Sequence, residues 1–109
     1  MKILKFLLVI TFSFLFKTQI LLADEAKMIK GLEIFNETAG CAACHVLKAA
    51  ASEGNIGPNL DTVEGLNYDS VMDIVTHGLG VMPAFGEDEI LTKDEIDIVS
   101  FYVANSVGK

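Results

Sequence analysis

No Arg occurs among the 109 residues, and 8 Lys face 15 Asp and Glu, so the formal net charge is −7. Nucleic-acid phosphates demand cationic contacts, so a role on DNA or RNA is excluded. Cysteine is scarce as well: two cannot build a disulfide framework, though they suffice for one bridge, a metal site or a cofactor attachment. No internal repeat, low-complexity tract or sustained strand alternation is present. A membrane span needs about 20 apolar residues. The longest candidate here, Phe6 to Phe16, is followed at once by Lys17, Thr18 and Gln19. With 51% apolar and 21% charged residues the chain is globular, and its length allows one small domain.

The first 23 residues read as a secretory signal. Lys2 and Lys5 give a positive start, Phe6 to Phe16 an apolar centre, and Leu21-Leu22-Ala23 a small residue for cleavage. Ala23 or Ala26 is the last residue removed. Loss of residues 1–23 takes away three Lys and no carboxylate, leaving 86 residues (24–109) at net charge −10. A chain that short buries little core and calls for a staple such as a disulfide, a metal or a cofactor.

Three stretches carry helical periodicity. From about Glu25 to Glu37, Met28, Leu32 and Phe35 share a face, and Gly40 follows as a stop. A second helix is capped by Asp69, presents Val71, Ile74 and Val75, and ends at Gly78. A third begins with the T-x-x-E capping box Thr92–Glu95 and presents Ile98, Val99 and Tyr102. A short fourth helix is expected around Val46 to Ala51. The loops Val46 to Asn67 and Leu79 to Leu91 are long for so small a domain, as functional loops are.

Both cysteines and one of the two histidines fall in one window, Cys41-Ala42-Ala43-Cys44-His45. This C-x-x-C-H spacing is the attachment signature of a c-type haem: two thiols for the two vinyl groups and an imidazole beside the iron. Three other readings compete. A redox disulfide of thioredoxin type wants a βαβ context, a structural zinc wants four ligands, and a plain disulfide leaves His45 without a purpose. Of the methionines beyond the signal, Met28 and Met72 lie on or beside apolar stripes and read as core. Met82 lies in a loop between Gly80 and Pro83. His77, next to Gly78 at a helix end, reads as a surface residue, with a ligand role the remote alternative.

Taken together, Gly31 and Phe35, Cys41-Ala42-Ala43-Cys44-His45, Gly57-Pro58-Asn59-Leu60, Val81-Met82-Pro83-Ala84-Phe85 and a final helix with Tyr102 resemble the small class I bacterial cytochromes c. The resemblance covers nearly all of the mature chain. It implies an all-α fold of three principal helices and loops wrapped around one covalent haem. It implies Met82 as sixth iron ligand opposite His45, with the Pro58 carbonyl orienting the His45 ring. It further implies that the first and last helices cross at Gly31 and Phe35, with Tyr102 rather than Phe101 alongside. For Tyr68, reach to a haem propionate is the minority reading.

The function implied is that of an exported, periplasmic one-electron carrier, monomeric and not an enzyme. A dedicated haem subunit of a dehydrogenase or oxidase, or a ligand-binding or peroxidase-like haem protein, are the alternatives. The carboxylates Glu87, Asp88 and Glu89 after the Met82 loop, with Glu53, suit a redox partner with a basic docking patch.

Overall fold

The computed structural model describes residues 2–109, with the side chains at 2–4, 6–14 and 16 outside the described set. Three α-helices dominate: α1 (Lys2–Glu33), α2 (Tyr68–His77) and α3 (Lys93–Ser106). The fold is all-α, as the sequence implies. Helix α1 runs without a break from Lys2 to Glu33, whereas the periodicity predicts a start near Glu25. No Pro occurs before residue 58, so nothing in the local sequence interrupts it. Its side chains from 17 to 26 are exposed, and burial begins at Lys27.

The end of the first helix also differs from expectation. The turn Ile34–Thr38 is π-helical, closed by a bond from Ala39 N to Ile34 O at 2.9 Å, and it buries Ile34 and Phe35. Gly40, with φ +70°, then stops the helix as its position predicts.

Helices α1 and α3 cross at Gly31. A Cβ there would lie 2.2 Å from Tyr102 Cβ and 3.1 Å from Ile98 O, so only glycine permits this approach. One turn on, the Phe35 and Tyr102 rings meet at 6.0 Å between centroids and 56° between planes, a tilted pairing that favours aromatic packing. Tyr102, rather than Phe101, fills the crossing. Val99, Val103, Ile96, Leu91, Val71, Val75 and Phe85 complete the core around α3.

The capping box predicted for α3 is present. Glu95 N donates to Thr92 Oγ1, and Thr92 N donates back to Glu95 Oε1, both at 3.2 Å. Helix α2 starts differently: Asn67, not Asp69, is its cap, in a reciprocal box with Ser70. Asp69 sits instead in the first turn, where its charge meets the positive end of the helix dipole.

The short helix expected at Val46 to Ala51 reduces to one 3-10 turn, Lys48–Ala50. That turn joins two antiparallel strands, β1 (Val46–Leu47) and β2 (Ser52–Glu53). Four residues of helix former are too few to propagate against the cost of nucleation. The buried Ser52 hydroxyl makes a better anchor, accepting from Leu47 N at 2.8 Å.

Candidate haem-binding site

Cys41–Ala43 forms a 3-10 turn directly after Gly40, and the His45 amide donates back to Cys41 O at 3.0 Å. This one turn therefore presents both thiols and places the imidazole at its exit. The two cysteines are not joined in a disulfide. Before attachment, burial pushes the Cys41 thiol up to about 11. The chain just after strand β2 backs the turn: a Cβ at Gly54 would fall within 2.7 Å of the Ala42 and Ala43 carbonyl oxygens.

The His45 ring is held from two sides. Its Nδ1–H donates to Pro58 O at 2.7 Å, the acceptor that the resemblance implied. With Nδ1 protonated, the lone pair on Nε2 is left for a metal. Gly57 lies against the ring so closely that a Cβ would stand 2.5 Å from Cε1 and 2.8 Å from Nδ1. Gly57 is also tied to the motif through its amide, which donates to Cys44 O at 2.7 Å. Sequence reasoning recorded Gly57 only as part of a motif. Its work, leaving room for the imidazole, shows only when this loop, far along the chain from His45, returns to the ring.

Further along, Asp61 holds the same loop in place. Its carboxylate accepts from Lys48 N at 2.8 Å and from Gly108 N at 2.9 Å, joining the hairpin, the Pro58 loop and the C-terminal end. No sequence signal marked this residue.

Met82 stands in a second loop, partly buried against the same core cluster that Cys41 joins. Leu79 and Met82 exchange two backbone bonds across a tight turn, at 3.0 and 3.3 Å. Gly78, with φ +74°, lets this segment lie close: a Cβ there would meet Met82 O at 2.7 Å. Met28 and Met72 pack against the core, as their stripes predict. His77 is exposed, as expected, and its Nδ1–H donates to Glu87 Oε1 at 2.6 Å.

The Tyr68 hydroxyl donates to Asp97, which also pairs with Lys27 at 2.9 Å, so these side chains join α2, α3 and α1. That bond pushes the phenol up to about 12, and together the two partners hold Asp97 below the usual carboxylate range.

The chemistry of this donor set fits a haem. Two thiols on one turn and an imidazole with its outer nitrogen already committed are what covalent attachment and iron ligation require. The rival readings lack their contexts. The ladder of two-residue strands is no βαβ unit, and among the described residues no cluster of His, Cys, Asp and Glu is placed to hold a bare metal ion. An all-α domain built around such a turn defines a c-type cytochrome.

Comparison with known proteins agrees. Residues 26–103 match the family described as cytochrome C oxidase, cbb3-type, subunit III. Over 84 residues the chain is 34% identical to a cytochrome c6 of Gloeothece citriformis, covering 72% of this chain and 71% of that one. The crystal structure of the c-type cytochrome SorU from Sinorhizobium meliloti superposes with a TM-score of 0.71 at 44% identity, covering 78% of this chain and 95% of that one. The chain belongs to this cytochrome c family, as a small monohaem class I member with one haem c attached through Cys41 and Cys44. It is an electron carrier of the c type.

Proposed function

We propose that the domain 24–109 is an exported one-electron shuttle whose iron is held by His45 and Met82. The observation that carries this reading is the His45 cradle, with Nδ1–H on Pro58 O and Gly57 beneath the ring. It is an orienting device for a ligand, and it has no use in a disulfide. Haem supplies a ferric/ferrous couple, and a thioether from Met82 favours the ferrous side. Two protein ligands leave no position for a substrate, so the protein carries electrons rather than catalysing a reaction. His45 stays oriented by Pro58, and Met82 stays seated by the turn with Leu79.

Export rests on the leader. Residues 17–26 add nothing to the buried core, so cleavage after Ala23 or Ala26 leaves the domain intact and delivers it to the periplasm. Among the described residues no helix is long and apolar enough to cross a membrane. The free carrier is a monomer that meets a partner with a basic patch, steered by its own acidic surface. A second reading, a permanent oxidase subunit, draws support from the description of the matched family and from exposed apolar side chains on both loops. Val81 is 91% exposed, Leu79 70% and Ile56 69%. A partner retained through size exclusion at high salt selects the subunit. A single peak at the mass of the mature chain selects the carrier.

The test of the ligand set is Met82→Ala. Haem stays covalently attached, the ferric long-wavelength thioether band disappears, carbon monoxide binds the ferrous protein readily and the potential falls. An unchanged spectrum transfers the ligand role to another residue.

A further inference from the structure

The loop that carries Met82 also closes the C-terminal end of α2. A helix leaves its last carbonyls without intrahelical partners. Here Phe85 N donates to Val75 O at 2.9 Å, and Gly86 N and Glu87 N both donate to Thr76 O, at 3.2 and 3.1 Å. One further tie is made by side chains. His77, the last residue of α2, donates Nδ1–H to Glu87 Oε1 at 2.6 Å, while its Nε2 lies 3.6 Å from Asp73 Oδ1. Glu87 is thus anchored twice, by its amide and by its carboxylate.

We propose that His77 is a positioning residue for the Met82 ligand: paired as an imidazolium with Glu87, it clamps the Met82 loop to the end of α2, and it loosens that loop on losing its proton. The proposal rests on the assignment of Met82 as ligand. The charged groups facing the imidazole are Asp73 on its own helix and Glu87 on the loop, both carboxylates. Both stabilise the protonated form, Glu87 most strongly, and His77 accordingly titrates above the ordinary histidine range. A raised value fixes the sign. The clamp is complete below the ordinary histidine range and is lost as pH rises through the raised value. The backbone bonds do not titrate, so the loop relaxes without detaching. Because both side chains are exposed and screened, the effect is of the size of a surface ion pair, about two- to fivefold in a local equilibrium.

The test uses the intact holoprotein. In the ferrous state, hydrogen-exchange protection factors are measured for the Phe85, Gly86 and Glu87 amides across the His77 titration, itself followed by the ring resonances. The expected result is an about two- to fivefold fall in protection, centred on the His77 midpoint. His77→Gln and Glu87→Gln should each hold protection at the high-pH level throughout. A parental profile without a step, or a step that survives in His77→Gln, overturns the clamp. Met82→Ala separates the two assumptions. If that variant keeps the thioether band, the ligand assignment fails and the clamp positions no ligand. If the band is lost, a flat parental profile counts against the clamp alone.

Discussion

His45 and Met82 sit in loops held by different means. The His45 side is built from contacts inside the motif and its immediate support: a 3-10 turn, a Pro58 carbonyl 2.7 Å from Nδ1, and Gly57 flat against the ring. None of these contacts depends on a charge. The Met82 side has a tight turn of its own, but its position comes from bonds to the end of α2, one of them an exposed ion pair between His77 and Glu87. Covalent attachment adds to the contrast, because both attachment cysteines precede His45 on the same turn. If His45 and Met82 are the ligands proposed, the difference sets them against different perturbations. The His45 side should fail through steric change, whereas the Met82 loop should respond to pH, salt and the state of α2.

The largest effect is expected at the covalent anchor. Cys41→Ser with Cys44→Ser removes both thioether bonds, and no haem-staining band should remain at the mass of the protein on a denaturing gel. Colour that resists acid–ketone extraction in the double variant would refute the attachment.

Gly57→Ala comes next. The new Cβ would stand 2.5 Å from His45 Cε1, so the ring or the loop must move and the bond to Pro58 is strained. Overpacking of this kind costs about 1–3 kcal/mol in denaturant unfolding. The expected signature is a shifted absorption spectrum and reduction potential with both thioethers intact. A spectrum like that of the parent would show that His45 tolerates displacement and would erase half of the contrast.

A smaller effect should follow Asn67→Ala, which removes the cap of α2 and costs about 1 kcal/mol. If the Met82 loop depends on α2, protection of the Phe85 to Glu87 amides falls with it, while exchange of the Gly57 amide on Cys44 O does not. Equal losses at both places would mean that the two loops share one cooperative unit.

The smallest effect concerns partners. Glu87 is engaged by His77, so Asp88 and Glu89 are the carboxylates of that run to neutralise for a test of steering. Their replacement by Asn and Gln should flatten the salt dependence of electron transfer between low and physiological ionic strength, where the screening length falls from about 30 to 8 Å. The haem spectrum should not change. A rate indifferent to salt in the parent would end the steering argument.

Short-range chemistry was readable from residue order. The five-residue attachment motif, the Thr92–Glu95 box, the stop at Gly40 and the place of Met82 in a loop rather than on a stripe each depend on neighbours a few positions apart. Such spacings set geometry almost alone, because one turn of chain brings those groups together. The resemblance supplied the crossing of Gly31 with Tyr102 and the acceptor at Pro58, and the structure places both as implied. What tertiary structure decided lies between residues far apart. Tyr68 meets Asp97 29 positions away, Asp61 meets Gly108 47 positions away, and the Met82 loop folds back onto the last carbonyls of α2. Asn67 was as good a cap by type as Asp69, and the path of the chain into α2 chose it. The hairpin at 46–53 replaced a helix for the same reason. A hydrogen bond between remote segments is worth little until the chain is already folded to present both partners, so residue order cannot announce it.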